Sequence, residues 1–210
     1  MSFKKLALGA MVIACAGVFT TQAMANNFVE GQDYTVLSKP QAVEKAGKIE
    51  VREFFWYGCP HCHALEPHMQ TWLKKLPSDV RFVRTPAAMN PVWEVGAKAY
   101  FTSEALGIRQ YTHIPLFEAH YAAKGGLSPK ALSQFFNVHF KVPEDKFKET
   151  FDSFPVAQRV AQSKALTQAY GEELAGVPAV VVNGKYLVRG EDAKVPQVID
   201  FLIEKERKAK

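Results

Sequence analysis

Nine residues rich in β-branched and aromatic side chains, 49–57, run through Gly58 straight into Cys59-Pro60-His61-Cys62. No other junction in the chain restricts the fold as much. Such a run favours a strand. Pro60 suits the first turn of a helix, where its missing N–H costs nothing. Cys62, Leu65, Met69, Trp72, Leu73 and Leu76 then recur on one helical stripe. The spacing predicts a strand over 49–57 and a helix over 59–76, with a packing kink at Pro67. Cys59 therefore stands at a helix N-terminus, where unpaired N–H groups and the helix dipole favour an anion. The thiolate is the reactive form of cysteine, and this position lowers its pKa. Cys62, one turn further in, is more shielded and placed to attack a mixed disulfide. His61, protonated or hydrogen-bonding, stabilises the Cys59 thiolate further. That makes a Cys59–Cys62 disulfide a stronger oxidant.

Cysteine usage supports chemistry over architecture. Lys4 and Lys5 precede an apolar run from Leu6 to Phe19, followed by Ala23-Met24-Ala25. These are the parts of a secretory signal peptide, with cleavage expected after Ala25. The run is short for a transmembrane helix, which needs ~20 apolar residues. Val12-Ile13-Ala14-Cys15 loosely resembles a lipoprotein cleavage site and keeps a lipid anchor at Cys15 open as an alternative. Of three cysteines, removal of 1–25 leaves Cys59 and Cys62. An exported compartment permits disulfides, but a structural disulfide gains from closing a long loop. A bridge across two residues closes almost none. The same removal takes two lysines and lowers the net charge from +5 to +3. The remaining basic residues are interleaved with acids, and Lys205 to Lys210 reads as a solvated helix end. No basic stripe with aromatics is present, so nucleic-acid binding is not expected.

The rest of the chain divides by pattern. Residues 34–37 and 80–85 are further strand candidates. From 91 to 170 the pattern is helical, with starts marked by Pro91, Pro115, Ser128-Pro129 and Ser153 with Pro155, and stops by Gly107, Gly125-Gly126 and Gly171. Strands over 179–182 and 185–189 flank Asn183-Gly184, a strong hairpin signal. Val195, Val198, Ile199, Leu202 and Ile203 form the stripe of a last helix. The expected organisation is one α/β domain, residues 26–87 and 153–210, interrupted by an all-helical insertion over 88–152.

Individual residues carry competing readings. Ile49, Val51, Glu53 and Phe55 share one strand face. An acid on an apolar face is costly, so Glu53 is either a proton carrier for Cys62 or the partner of Arg84 on the neighbouring strand. Cys59-Pro60-His61-Cys62-His63 also fits the c-type haem attachment pattern. Zinc or copper could use the cysteines with two of His61, His63 and His68, although structural zinc normally recruits a distant second pair. His63 and His68 read as surface histidines, Phe135, Phe136, Phe140 and Phe147 as core, and Trp56 as core. Tyr57 is open between core and the rim of a peptide groove. Val177-Pro178 precedes the hairpin, where a proline suits a strand start.

The strand–motif–helix order, the later Val177-Pro178–strand–hairpin–helix order with Asn183-Gly184-Lys185, and the helical block between them resemble the DsbA family of periplasmic disulfide oxidants. The resemblance covers residues 30–208. It implies a thioredoxin fold with a helical insertion, no cofactor and no metal, and monomeric action. It implies that Cys59 is the sulfur attacked by substrate and Cys62 the resolving partner, with Pro60 and His61 tuning the redox pair. It further implies that Pro178 is cis and that the Val177 backbone pairs with an incoming peptide. Glu53 falls where the family keeps a buried acid. Arg84 falls where some members carry lysine, a departure that puts a lysine-dependent role in doubt. Substrates would be reduced, unfolded exported proteins. Re-oxidation would come from a quinone-linked DsbB-type protein of the inner membrane. An isomerase or reductase stays open, though isomerases often add a dimerisation domain and none is visible.

Overall fold

The computed structural model describes residues 27–44, 47–123 and 126–209. The expected export signal at 1–25, with Cys15, lies outside them. Five strands form one sheet: β1 (Thr35–Val36), β2 (Ile49–Phe55), β3 (Val80–Pro86), β4 (Ala179–Val182) and β5 (Tyr186–Arg189), in the order β1-β5-β4-β2-β3. Only β2 and β3 are parallel, joined through α1 (Pro60–Leu73). Parallel neighbours need such a crossover, whereas β4 and β5 close through a two-residue turn. In that turn Asn183 and Gly184 have φ of 50° and 67°, and Lys185 N–H donates to the Val182 carbonyl at 3.0 Å. A Cβ on Gly184 would lie 2.0 Å from the Gln41 carbonyl oxygen, so the hairpin tip accepts no side chain there.

Between β3 and β4 run α2 (Pro91–Ala105), α3 (Arg109–Ala122), α4 (Pro129–Phe140), α5 (Glu144–Phe151), α6 (Phe154–Ala169) and the single turn α7 (Gly171–Leu174); α8 (Lys194–Lys208) follows β5. Asn90, Ser128 and Ser153 cap α2, α4 and α6 by accepting from the N–H groups of Trp93, Ala131 and Val156, as Ser and Asn before a helix start should. Pro115 does not start a helix. Gly107, at φ 71°, ends α2, and α3 begins two residues later, so Pro115 lies within it. The carbonyl that this proline deprives of a donor belongs to Tyr111 on the exposed side of α3. Likewise Gly171, at φ 55°, opens α7 directly after the Tyr170 cap of α6 and does not end the helical block. Strand β2 is shorter than expected, ending at Phe55, and α1 ends at Leu73.

Three packed groups explain where the site falls. One face of the sheet buries Ile49, Val51, Val180, Val182 and Val188 against Leu65 and Met69 of α1 and Ile199 and Leu202 of α8. The other face buries Phe54, Ala179, Val181 and Leu187 against Tyr170 and Leu174. The third group is the helical core, including Tyr100, Leu116, Phe117, Leu132, Phe136 and Phe147, and it runs on into Phe55, Tyr57, Cys59 and Cys62. Val156 and Val160 of α6 pack in this helical core. The cysteines thus sit at the seam between sheet and helices. Phe135 and Phe140 are only half-buried, whereas Phe136 and Phe147 are core.

Candidate active site

The turn that delivers the cysteines is held by a hydrogen bond from Cys59 N–H to the Trp56 carbonyl, 3.0 Å. Gly58 within it has no room for a side chain: a Cβ would meet the Trp56 ring at 2.3 Å and His120 Nε2 at 2.6 Å. Trp56 is half-buried, stacked on Trp93 with centroids 4.6 Å apart and flanked edge-on by His120. Tyr57 is buried, which places it in the core and not on a groove rim.

Cys59 is the N-cap of α1. Its sulfur accepts from Cys62 N–H at 3.3 Å, and as a thiol it donates to the Val177 carbonyl at 3.4 Å. Pro60 is exposed at the first helical position. Both cysteines are free thiols, yet their environments differ. Cys59 keeps 6% exposure and Cys62 none. The Cys62 side-chain hydrogen bond pulls the Cys59 pKa down to about 6, helped by the N–H groups of Cys62 and His61 and by the His61 charge, against the effect of burial. Burial pushes the Cys62 thiol far up, and the neighbouring Cys59 sulfur pushes the same way. Two sulfurs of one motif are thereby made unequal.

His61 is exposed, and its Nδ1 pairs with the Glu191 carboxylate from the β5–α8 loop. That hydrogen bond and charge raise its pKa. His63 is not a free surface histidine: half-buried, it stacks on Phe117 of α3 (centroids 5.2 Å, 10°) and on Tyr121. His68 is also half-buried. The three histidines therefore do not converge, and among the described residues no group of three His, Cys, Asp or Glu side chains could hold a metal. Covalent haem attachment would require both sulfurs to reach a flat ring, which a fully buried Cys62 cannot do. Across from Cys59, the Val177–Pro178 peptide bond is cis. Pro178 is buried at the start of β4, and Val177 is half-buried.

Beneath the cysteines lies a buried polar chain. Glu53 faces Arg84 in the β2–β3 register and accepts from Arg84 Nε at 3.0 Å, so the expected contact between the two side chains is present. Its other oxygen, Oε1, is buried without a partner. Burial, then the charge of Glu66, raises Glu53 to about 8, more than Arg84 can offset. The same residue therefore carries a proton at neutral pH. Arg84 also donates to Glu66, 2.9 Å. His113 Nε2–H donates to the other Glu66 oxygen at 2.8 Å, and Tyr57 O–H reaches His113 Nδ1 at 3.1 Å. Burial lowers the His113 pKa and keeps the ring neutral. Although burial works against it, Glu66 is held below the usual carboxylate range by His113 and Arg84. The motif and its spacing gave no hint of Glu66, His113 or Glu191. Glu66 did leave a trace, lying four residues after Cys62 and three before Met69 on the buried stripe of α1.

No protein-family model matches the chain. It is 40% identical over 211 residues to the thiol:disulfide interchange protein DsbA of Pseudomonas aeruginosa, covering 98% of each chain. To the protein of the same name in Pseudomonas syringae pv. tomato it is 41% identical over 213 residues, covering 98% of this chain and 97% of that one. The crystal structure of Pseudomonas aeruginosa DsbA matches with a TM-score of 0.79 at 40% identity, over 88% of this chain and 97% of that one. Oxidoreductase DsbA from Xylella fastidiosa matches with a TM-score of 0.76 at 34% identity, over 86% and 98%. The fold is accordingly the thioredoxin fold with a helical insertion, and the chemistry is thiol–disulfide exchange. With two inequivalent sulfurs at the cap of α1 and this likeness along nearly its whole length, the chain belongs to the DsbA family of thiol:disulfide oxidoreductases.

Proposed function

We propose that the Cys59–Cys62 disulfide is donated to reduced, unfolded proteins after their export, in the periplasm. The observation that carries this reading is the contrast between a thiolate-stabilising Cys59 that keeps an edge at the surface and a fully buried Cys62. A substrate thiolate attacks Cys59 Sγ. The Cys59–Cys62 bond breaks, and its electron pair leaves on Cys62. Cys59 is the better placed target because only it is accessible. The buried Cys62 thiolate is unfavourable and takes a proton, for which Glu53 is the candidate donor: its carboxyl is raised to about 8, and once ionised it is near enough to push the Cys62 thiol up. A second substrate thiolate then attacks the substrate sulfur of the mixed disulfide. Cys59 departs as a thiolate, stabilised by the N–H groups of His61 and Cys62. Two electrons have moved from the substrate dithiol to the pair. The two substrate protons go to solvent, one is taken up again to replace the proton that Glu53 gave to Cys62, and Cys59 stays a thiolate. Pro60 and His61 tune this exchange. The Val177 backbone beside Cys59, held by Pro178, receives the peptide as an added strand segment.

The remaining elements of the reading follow from it. The export signal is 1–25, cleaved after Ala25. Residues 26–87 with 153–210 form the thioredoxin-like unit, and 88–152 the insertion. The reduced pair is re-oxidised by a DsbB-type, quinone-linked partner of the inner membrane, and the protein acts as a monomer. Trapping tests the assignment of the two sulfurs. Cys62→Ala, with Cys59 first converted to its mixed disulfide with glutathione, should exchange glutathione for reduced, unfolded exported proteins and accumulate the resulting mixed disulfides, because the resolving thiol is gone. Cys59→Ala should accumulate none. Equal trapping by both variants would dissolve the assignment.

A further inference from the structure

We propose that Glu191 is a positioning residue for the redox centre: from the β5–α8 loop it holds the His61 ring as a cation beside Cys59 and so strengthens the disulfide as an oxidant. The inference rests on the reading of Cys59 as the sulfur that exchanges with substrate.

The geometry that supports it spans 130 residues of sequence. The Glu191 carboxylate is paired with His61 Nδ1. His61 belongs to the first turn of α1, next to the cap. The charged groups facing its ring are Glu191, from the loop, and Cys59, from the cap itself. Further along, α8 meets α1 where Trp72 Nε1–H donates to Asp200; the Glu191 contact is the one that brings the β5–α8 loop to the motif itself. The two effects of Glu191 oppose each other. Its charge disfavours a nearby thiolate, while its hydrogen bond keeps the closer imidazole positive where a free histidine, with a pKa of ~6.5, would be mostly neutral at pH 7. The ring wins because its charge acts on Cys59 directly, whereas the carboxylate is engaged with the ring. Stabilising the Cys59 thiolate stabilises the reduced pair, which is the same as making the disulfide more oxidising.

The sign of the pH dependence is set by His61. Below the ordinary histidine pKa the ring is charged with or without Glu191. Above the raised value it is neutral in both cases. The effect of Glu191 therefore occupies the window between, centred near neutrality. Both side chains are largely exposed, so the effect is modest and weakens with salt.

The experiment is the equilibrium of the Cys59–Cys62 pair with a glutathione redox buffer, at low salt, in the full exported protein. At pH 7, Glu191→Gln should shift the equilibrium toward the oxidised form by about two- to fivefold. The shift should be absent or reversed at pH 5 and in a His61→Ser background, and Glu191→Asp should keep largely the wild-type equilibrium. An unchanged equilibrium in Glu191→Gln, or an equal shift with His61 already removed, would overturn the inference while leaving the exchange reading intact. A wild-type pair no more oxidising than glutathione would instead overturn the exchange reading, and this inference with it.

Discussion

At the scale of single residues, the centre works by inequality. Cys59 and Cys62 differ by three positions, yet one accepts N–H groups at a helix cap and the other is sealed beneath it. Alkylation of the reduced protein should therefore proceed at Cys59 alone, with a midpoint near 6 as its pKa indicates. The rate of reaction with a small haloacetamide against pH measures this. A midpoint near the ~8.5 of free cysteine would exclude a stabilised thiolate. Glu53 is the second residue whose protonation defines the site. A carboxyl whose pKa is raised in the folded state stabilises the fold below its unfolded value, and that contribution is lost as pH climbs through about 8. Glu53→Gln removes the titration. The variant should gain stability over the parent between pH 5 and pH 8, on the order of 2 kcal/mol by pH 8, as measured by urea unfolding. It should also resolve mixed disulfides more slowly. Equal pH–stability curves for the two proteins would mean that Glu53 is an ordinary ionised partner of Arg84.

At the scale of elements, the hairpin β4–β5 holds two parts of the molecule in register. Its tip is gripped from the N-terminal side, with Gln41 N–H donating to the Gly184 carbonyl at 2.9 Å. Its base places Pro178 opposite the cap of α1. Lys185 pairs with Glu206 of α8 at 2.9 Å, which ties the last helix to the same turn. Gly184→Ala would force a methyl group into backbone at the Gln41 carbonyl, in a left-handed conformation. The expected cost is about 1–3 kcal/mol, read as a lower thermal midpoint with the Cys59 alkylation profile unchanged. A change in that profile would show that the hairpin tip communicates with the redox pair.

At the scale of the whole molecule, stability and function are linked through the thiolate. A disulfide across two residues constrains the unfolded chain little. Reduction, by contrast, creates an anion that only the folded cap stabilises. The folded Cys59 pKa is depressed, so this stabilisation is complete above the unfolded value near 9 and fades as pH falls through about 6. Cys62 shifts the other way and stays a thiol in the fold, so it matters only where unfolded thiols ionise, in alkali. At neutral pH the reduced protein should therefore unfold at higher urea than the oxidised one, and the gap should close by pH 5. A clearly more stable oxidised form at neutral pH would contradict the oxidant reading. The chain Glu53–Arg84–Glu66–His113–Tyr57 adds a connection of another kind. It runs from β2 through β3 and α1 to α3 of the helical part. A buried polar chain that is satisfied along most of its length holds those elements in one arrangement.

Local physics was enough to recognise much of this protein. Strand β2, the start of α1, the hairpin at Asn183-Gly184 and the caps at Ser128 and Ser153 are written in β-branched runs, proline positions and side-chain oxygens that act within a few residues. The redox pair was equally legible, since the spacing of Cys59 and Cys62 and the place of Pro60 are local facts. Pro115 misled because a proline can sit inside a helix when the carbonyl it deprives faces outward, and outwardness is not local. The contacts that set the chemistry are not local either. Glu66 gains its role only when α3 brings His113 against it, Tyr57 stays ambiguous until the helical core closes over it, and His63 looks solvent-facing until Phe117 arrives. His61 meets Glu191 only because the sheet order places the end of β5 beside the cap of α1. Charge and burial act through space, so the sequence alone could propose the reacting atoms, while the surroundings that set their protonation were decided by which distant segments the tertiary structure packed around them.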